Sequence, residues 1–95
     1  MKNRETSKGW SLNQGLAAQY AAQAGIDPDL AAEAGEAAWD VLKALRDATD
    51  ERDPRRRAKR VTLAKRRLNK AGFGRHRDLA KSIQTRLASL EGARP

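Results

Sequence analysis

Apolar residues recur along the chain at helical spacing. In the longest stretch, Ala34, Ala38, Val41, Leu45 and Ala48 follow one another at intervals of 4, 3, 4 and 3 residues, which places them on one face of a helix. The chain lacks period-2 alternation and the Asn-Gly or Asp-Gly dipeptides of tight hairpins. The pattern therefore predicts an all-α fold, a small helical domain of about four amphipathic helices.

The first helix is predicted from about Leu12 to Ala24. Ser11 and Gln14 have the S-x-x-Q spacing of a capping box at its start. Gly25 suits the left-handed position just beyond a helix end, and Ile26 can fold back onto the last turn. The boundaries of this helix are thus marked at both ends.

The second helix is predicted to be long, from Pro28 to about Glu51. Asp27 is a favourable N-cap, and proline is favoured at the first helical position because its missing N–H has no partner there anyway. Gly35 lies inside this helix, where glycine costs about 1 kcal/mol relative to alanine. Either the helix bends at Gly35 or another part of the chain passes close to it.

The third and fourth helices use the same start and stop signals. Asp53 and Pro54 begin the third helix, and Gly72 and Phe73 follow its end at Ala71. The fourth helix is predicted from about Arg75 to Leu90. The apolar positions of these two helices are Val61, Ala64, Leu68 and Ala71, then Leu79, Ile83, Leu87 and Leu90.

Large apolar side chains are few, and alanine occupies much of each apolar face. Alanine allows helices to approach closely but buries little area. A core of this kind predicts a homodimer, with the long face of the second helix as its interface. The organisation along the chain is a flexible polar N-terminus over residues 1–10, then one helical domain over 11–92 with an acidic half, 11–53, and a basic half, 54–92.

Composition excludes several classes of protein. The chain of 95 residues contains no Cys and one His, so neither a disulfide scaffold nor a metal site is expected, and no cofactor is predicted. No apolar run approaches the roughly 20 residues of a membrane span, and the N-terminus lacks the apolar core of a signal peptide. No acid–base or nucleophile constellation is present. The sequence predicts a cytoplasmic protein that is not an enzyme and has no membrane partner.

Charge is distributed unevenly. The net charge is +8, but residues 1–54 contain six cations and ten acids, whereas residues 55–95 contain fourteen cations and two acids. Eleven of the twenty-three residues from 55 to 77 are Lys or Arg, and none is acidic. Such a block repels itself unless something neutralises it, and nucleic-acid phosphates would do so with release of counterions. The alternative is a solvated face that pairs with acids of the second helix.

The cations of the third helix form one stripe opposite its apolar face. On a helical wheel, Arg55, Lys59, Arg66 and Lys70 lie opposite Val61 and Leu68, and Arg56, Arg60 and Arg67 lie along the flank. Leu63 lies within this stripe, and it is interpreted as an isolated exposed leucine, a dimer contact or an apolar contact to a base, with the first two favoured. The predicted nucleic-acid-binding residues are Arg55, Arg56, Lys59, Arg60, Arg66, Arg67, Lys70, Arg75, His76, Arg77 and Lys81.

The third helix, the turn AGFG and the fourth helix have the outline of a helix-turn-helix, in which the second helix reads the major groove. Leu68 is bulky where close packing favours a small residue, so a plain helical hairpin is an equal alternative. The stretch from Tyr20 to Ala34 matches the spacing better. It places Asp27, Asp29 and Glu33 where phosphates would repel them, which favours a scaffold or a protein-binding surface.

These observations predict a small basic nucleic-acid-binding protein. The leading hypothesis is a DNA-binding regulator or architectural factor of bacterial, phage or plasmid origin, with DNA favoured over RNA as partner. Two alternatives remain open. One is a helical inhibitor or adaptor that binds an acidic protein surface on a nucleic-acid-processing machine, and the other is an RNA-binding protein, because arginine-rich helices also suit RNA.

Overall fold

The computed structural model describes residues 9–92, and every regular element in that range is helical. Five α-helices and one 3-10 turn follow in order: α1 Leu12–Gln23, α2 Pro28–Ala34, the 3-10 turn Gly35–Ala37, α3 Trp39–Asp50, α4 Pro54–Ala71 and α5 Arg77–Gly92. The predicted all-α fold is confirmed. Residues 1–8 of the predicted flexible N-terminus lie outside the described part of the chain.

Three predicted helix starts are confirmed by their hydrogen bonds. The Ser11 backbone N–H donates to Gln14 Oε1 at 2.8 Å, and the Gln14 backbone N–H donates to Ser11 Oγ at 3.2 Å, which completes the capping box of α1. Asp27 accepts from the Asp29 backbone N–H at the start of α2, and Asp53 accepts from the Arg55 backbone N–H at the start of α4. Short local signals therefore specify these boundaries.

The stop signals are confirmed in the same way. Gly25 has φ +82°, its N–H donates to the Ala22 carbonyl, and the Ile26 N–H donates to the Ala21 carbonyl. These two bonds make a Schellman motif, and Ile26 is buried beneath it. At the end of α4, Gly72 adopts the left-handed conformation and Phe73 is buried in the same core as Leu68.

The prediction of one helix from Pro28 to Glu51 is wrong. Gly35 has φ +51° and ψ −113°, a conformation that side chains disfavour, and the helix is divided there into α2 and α3. A Cβ placed at Gly35 would lie only 3.1 Å from Gln14 Cγ of α1. The Gln14 amide donates to the Ala32 carbonyl at 3.0 Å, so α1 supplies a partner for a carbonyl at the end of α2.

The core is centred on α3, which packs against α1, α4 and α5. Ten of the twenty buried apolar residues among residues 9–92 are alanines, and Leu42, Leu45, Leu79, Ile83 and Leu87 are the largest fully buried side chains. Ala38, Val41, Leu45 and Ala48, from the face that was predicted to form a dimer interface, are at most 1% exposed within the single chain. That face is occupied by the chain's own core and is not available to a second copy.

Candidate nucleic-acid interface

Helix α4 presents its cations because its opposite face is fixed in the core. Val61, Ala64 and Leu68 are buried against the rest of the bundle, and the helix runs without interruption for 18 residues. At 1.5 Å per residue it is about 27 Å long. The predicted wheel of this helix is confirmed, and the stripe of cations divides into two rows that differ in their partners.

The first row, here called the flank row, consists of Arg56, Arg60 and Arg67. Each pairs with an acid that precedes α4 in the chain: Arg56 Nε lies 3.8 Å from Asp53, Arg60 Nε lies 2.9 Å from Glu51, and Arg67 Nη1 lies 2.9 Å from Asp40. These three predicted site residues are therefore already partnered within the fold. The alternative interpretation, pairing with acids of the predicted second helix, is correct for Arg60 and Arg67.

Glu51 organises the corner between α3 and α4. Its carboxylate accepts from Arg60 Nε at 2.9 Å and from the Asp53 backbone N–H at 3.3 Å, while its backbone carbonyl accepts from Arg57 Nη1 at 3.5 Å. The hydrogen bond from Arg60 is the main reason that the pKa of Glu51 lies below its ordinary value. The carboxylate therefore stays ionised to a lower pH than an ordinary glutamate. Its hydrogen bonds hold the start of α4 against the end of α3.

The second row, here called the outer row, consists of Arg55, Lys59, Arg66 and Lys70. All four side chains are exposed, and none of them forms an ion pair with another residue in the range 9–92. Arg55 and Lys59 are one turn apart, as are Arg66 and Lys70, so the row is two pairs of cations along one face. On the far side of α4, Lys65 pairs with Glu91 of α5 at 2.6 Å.

The four predicted site residues beyond α4 are placed differently from one another. The fourth helix begins at Arg77 rather than at Arg75, so Arg75 and His76 lie in the turn, and the prediction that they open the helix is wrong. The His76 carbonyl accepts the first helical hydrogen bond, from Ala80, while its own N–H donates to the Phe73 carbonyl. The exposed residues are Arg75, Arg77 and Lys81, and Lys81 faces a separate depression beside the α1–α2 turn.

Leu63 lies in the outer face of α4 between the two cation pairs. Its side chain is 40% exposed and, with Ala58 and Thr62, lines a shallow depression of about 350 Å³ that Lys59 and Arg66 border. Leu12 is the other large apolar residue exposed in the described chain. The outer face therefore combines one apolar contact point with four cations that have no acidic partner among residues 9–92.

The part of the chain that the structure describes contains no group of three or more His, Cys, Asp or Glu residues that could hold a metal ion. His76 has Arg75 and Arg77 as its chain neighbours and forms no hydrogen bond through its side chain with any residue described. None of the described helices is both long enough and apolar enough to cross a membrane.

Sequence reasoning did not identify which acids neutralise which cations. Asp40 and Arg67 are 27 residues apart, and Glu91 and Lys65 are 26 residues apart, so these pairings depend on how the helices pack. A wheel of α4 does separate the flank row from the outer row. Only the positions of α3 and of the α3–α4 connection beside the flank row show that the flank row is the neutralised one.

Comparison with known proteins adds no family to this description. The chain matches no protein-family model and no curated protein, and its fold matches no solved structure.

Proposed function

We propose that this protein binds nucleic acid, most readily duplex DNA, through the outer row of α4. The observation that supports this proposal is the division of the stripe into two rows. Among residues 9–92, acids pair with Arg56, Arg60 and Arg67, and none pairs with Arg55, Lys59, Arg66 or Lys70. Four aligned cations without counter-charges repel one another, and phosphates would remove that repulsion.

The spacing of the outer row suits a duplex. The midpoints of its two cation pairs are eleven positions apart, which is about 16 Å along the helix. The major groove of B-DNA is about 12 Å wide, so one pair can contact phosphates on each side of a groove. The guanidinium groups of Arg55 and Arg66 can each make two hydrogen bonds to phosphate oxygens. In this arrangement α4 positions the protein and carries little sequence information.

A finer part of the proposal concerns the turn and α5. If α4, the turn and α5 act as a helix-turn-helix, Arg75 and Arg77 are the residues nearest to base edges. Replacing either one would then remove the preference for a particular site, at about 1–3 kcal/mol for each hydrogen-bonded base that the variant no longer reaches. If the two helices form a plain hairpin, these replacements would weaken binding to every sequence alike.

The direct test is a salt titration of binding to a labelled 20-base-pair duplex, followed by fluorescence anisotropy. If each outer-row cation neutralises one phosphate, the slope of log K against log salt is about −3.6 or steeper, and affinity falls about 100-fold or more between 50 and 200 mM salt. A flat salt dependence, or no binding at 50 mM salt, would refute the proposal. The same titration with duplex RNA shows whether RNA is the preferred partner.

A second candidate function rests on Leu63. An exposed leucine between two pairs of cations also fits an acidic, amphipathic protein surface, as expected for an inhibitor or adaptor. If a protein is the partner, Leu63→Gln is expected to abolish binding to it. If nucleic acid is the partner, the same variant is expected to leave duplex affinity within about twofold. A homodimer would have to use a surface other than the buried face of α3, such as the Leu63 face of α4.

A further inference from the structure

Arg86 of α5 is the one described residue with a buried side-chain nitrogen that lacks a hydrogen-bond partner. Its Nε is inaccessible to solvent and makes no hydrogen bond, and Arg86 forms no ion pair with the residues that the structure describes. A buried charged donor without a partner is costly, and native proteins usually satisfy such a group. The Nε–H of Arg86 therefore has no acceptor among the described residues, while the side chain as a whole is only partly buried.

An open pocket of about 720 Å³ lies at the same place, between α5 and the turn that joins α1 to α2. This volume falls in the range of small-molecule sites, about 300–1,000 Å³. Gly25 contributes to the wall, and a Cβ at Gly25 would lie 3.9 Å from Arg86 Nε. The glycine that ends α1 thus brings the backbone of the turn close to the guanidinium.

The lining of the pocket defines the chemistry of a ligand. Ile26 is buried and Leu30 is partly buried, and both give the pocket an apolar side, whereas Ser82, Thr85 and Ser89 of α5 supply hydroxyl groups. A guanidinium binds a planar carboxylate through two parallel hydrogen bonds. The pocket therefore combines one strong anion donor, several neutral hydrogen-bonding groups and an apolar wall.

The remaining charged residues set the charge of the ligand. Asp27, Asp78 and Lys81 also line the pocket. With Arg86 included, the lining has two acids and two cations. A lining with equal numbers of acids and cations gives an anion little net attraction, so binding depends on direct hydrogen bonds to Arg86. A singly charged anion that contacts Arg86 directly is favoured, and a nearby acid can accept from a polar hydrogen elsewhere on the same ligand.

We propose that the pocket between the α1–α2 turn and α5 binds a small carboxylate with an apolar body, and that Arg86 is its anchor. This proposal does not depend on the nucleic-acid proposal, because the outer row of α4 contributes nothing to the pocket. The two proposals can fail separately.

The test uses sodium benzoate as the probe and benzamide as its uncharged counterpart, at constant ionic strength, with the full chain labelled with ¹⁵N. Benzoate is expected to shift the Arg86 Nε–Hε signal and the backbone amide signals of residues 25–27, 29–30 and 78–89 in a saturable way. Benzamide and inorganic phosphate are expected to cause no saturable shift there. Shifts spread over the outer row of α4, equal shifts from benzamide, or phosphate binding in place of benzoate would overturn the proposal.

Two variants locate the binding. Arg86→Gln is expected to weaken benzoate binding at least about tenfold because glutamine cannot make the two parallel hydrogen bonds to the carboxylate. Arg52→Gln, which removes one exposed arginine elsewhere, is expected to leave benzoate affinity unchanged.

Thr85→Leu serves if Arg86→Gln does not fold. It keeps Arg86, places a larger side chain at the pocket from an exposed helical position, and is expected to abolish benzoate binding. Benzoate affinity equal to that of the unaltered protein in folded Arg86→Gln or Thr85→Leu would show that the pocket is not the site.

Discussion

At the scale of single residues, Gln14 of α1 contacts the point at which the following helical segment divides into α2 and α3. Gln14 completes the capping box of α1 through Oε1 and reaches the end of α2 through Nε2. Its Cγ occupies the space that a side chain at Gly35 would need. The sequence indicates that Gly35 is unusual, but only the packing of α1 on α2 shows that the helix ends there.

The first prediction compares two glycines. Gly35→Ala should lower the free energy of unfolding by about 1–3 kcal/mol, because alanine is strained at φ +51° and its Cβ meets Gln14. Gly15→Ala is the matched control. Gly15 lies inside α1 with nothing within 4 Å of a Cβ, so alanine there should raise the free energy of unfolding by about 0.5–1 kcal/mol. Urea unfolding measures both, and equal effects would contradict the description of Gly35.

The second prediction concerns Glu51 and pH. Its pKa is lowered in the folded protein below the ordinary 4.5, mainly by the hydrogen bond from Arg60. A group of this kind stabilises the fold above its unfolded pKa and loses that contribution as pH falls through the folded pKa. The advantage of the unaltered protein over Glu51→Gln in unfolding free energy should therefore be constant near neutral pH and shrink as pH drops below about 4.5.

Urea unfolding at a series of pH values measures this difference. Arg60→Gln provides the control, because it removes the same hydrogen bond and should show the same loss of pH dependence. An advantage of the unaltered protein that grows at low pH would contradict the assignment of the Glu51–Arg60 pair.

At the scale of elements, local signals and tertiary packing contribute differently. Capping residues and left-handed glycines define the ends of α1 and α4 and the start of α2, because these signals act within a few residues. The division at Gly35 involves the packing of α1 on α2, and the sequence marked Gly35 without showing that the helix ends there. The start of α5 at Arg77 lies two residues after the predicted one. In the same way, the wheel of α4 predicts where its cations lie, whereas the acid that pairs with Arg67 comes from a position 27 residues away.

The third prediction separates the two rows of α4 by stability. Arg67→Gln should lower the free energy of unfolding by about 0.2–1 kcal/mol, since both partners of the Arg67–Asp40 pair are partly exposed. A double-mutant cycle with Asp40→Asn should recover a coupling of that size. Arg66→Gln, one position away in the outer row, should change stability by less than about 0.5 kcal/mol or raise it, because it only relieves repulsion. A coupling of zero would show that Asp40 of α3 does not neutralise Arg67.

At the scale of the whole molecule, folding joins an acidic half to a basic half without cancelling their charges. Asp40, Glu51 and Asp53 are used for the flank row, and Glu91 is used for Lys65. The chain keeps a net charge of +8, and the cations of the outer row remain exposed on one face of α4. Because the pairing depends on how α3 and α5 pack on α4, sequence alone could define the basic block but not its exposed part.

The measurement that tests the central claim most directly compares two double variants of equal charge. Arg66→Gln with Lys70→Gln removes half of the outer row, whereas Lys43→Gln with Arg52→Gln removes two exposed cations of α3 and the α3–α4 connection, and both leave a net charge of +6. Binding of each to the same labelled duplex is titrated with salt. We predict that the outer-row variant reduces the steepness of the salt dependence by about 1.8, because two phosphates are no longer neutralised, and that the control keeps the slope of the unaltered protein. Equal slopes for the two variants would show that only total charge matters and would contradict the assignment of the outer row.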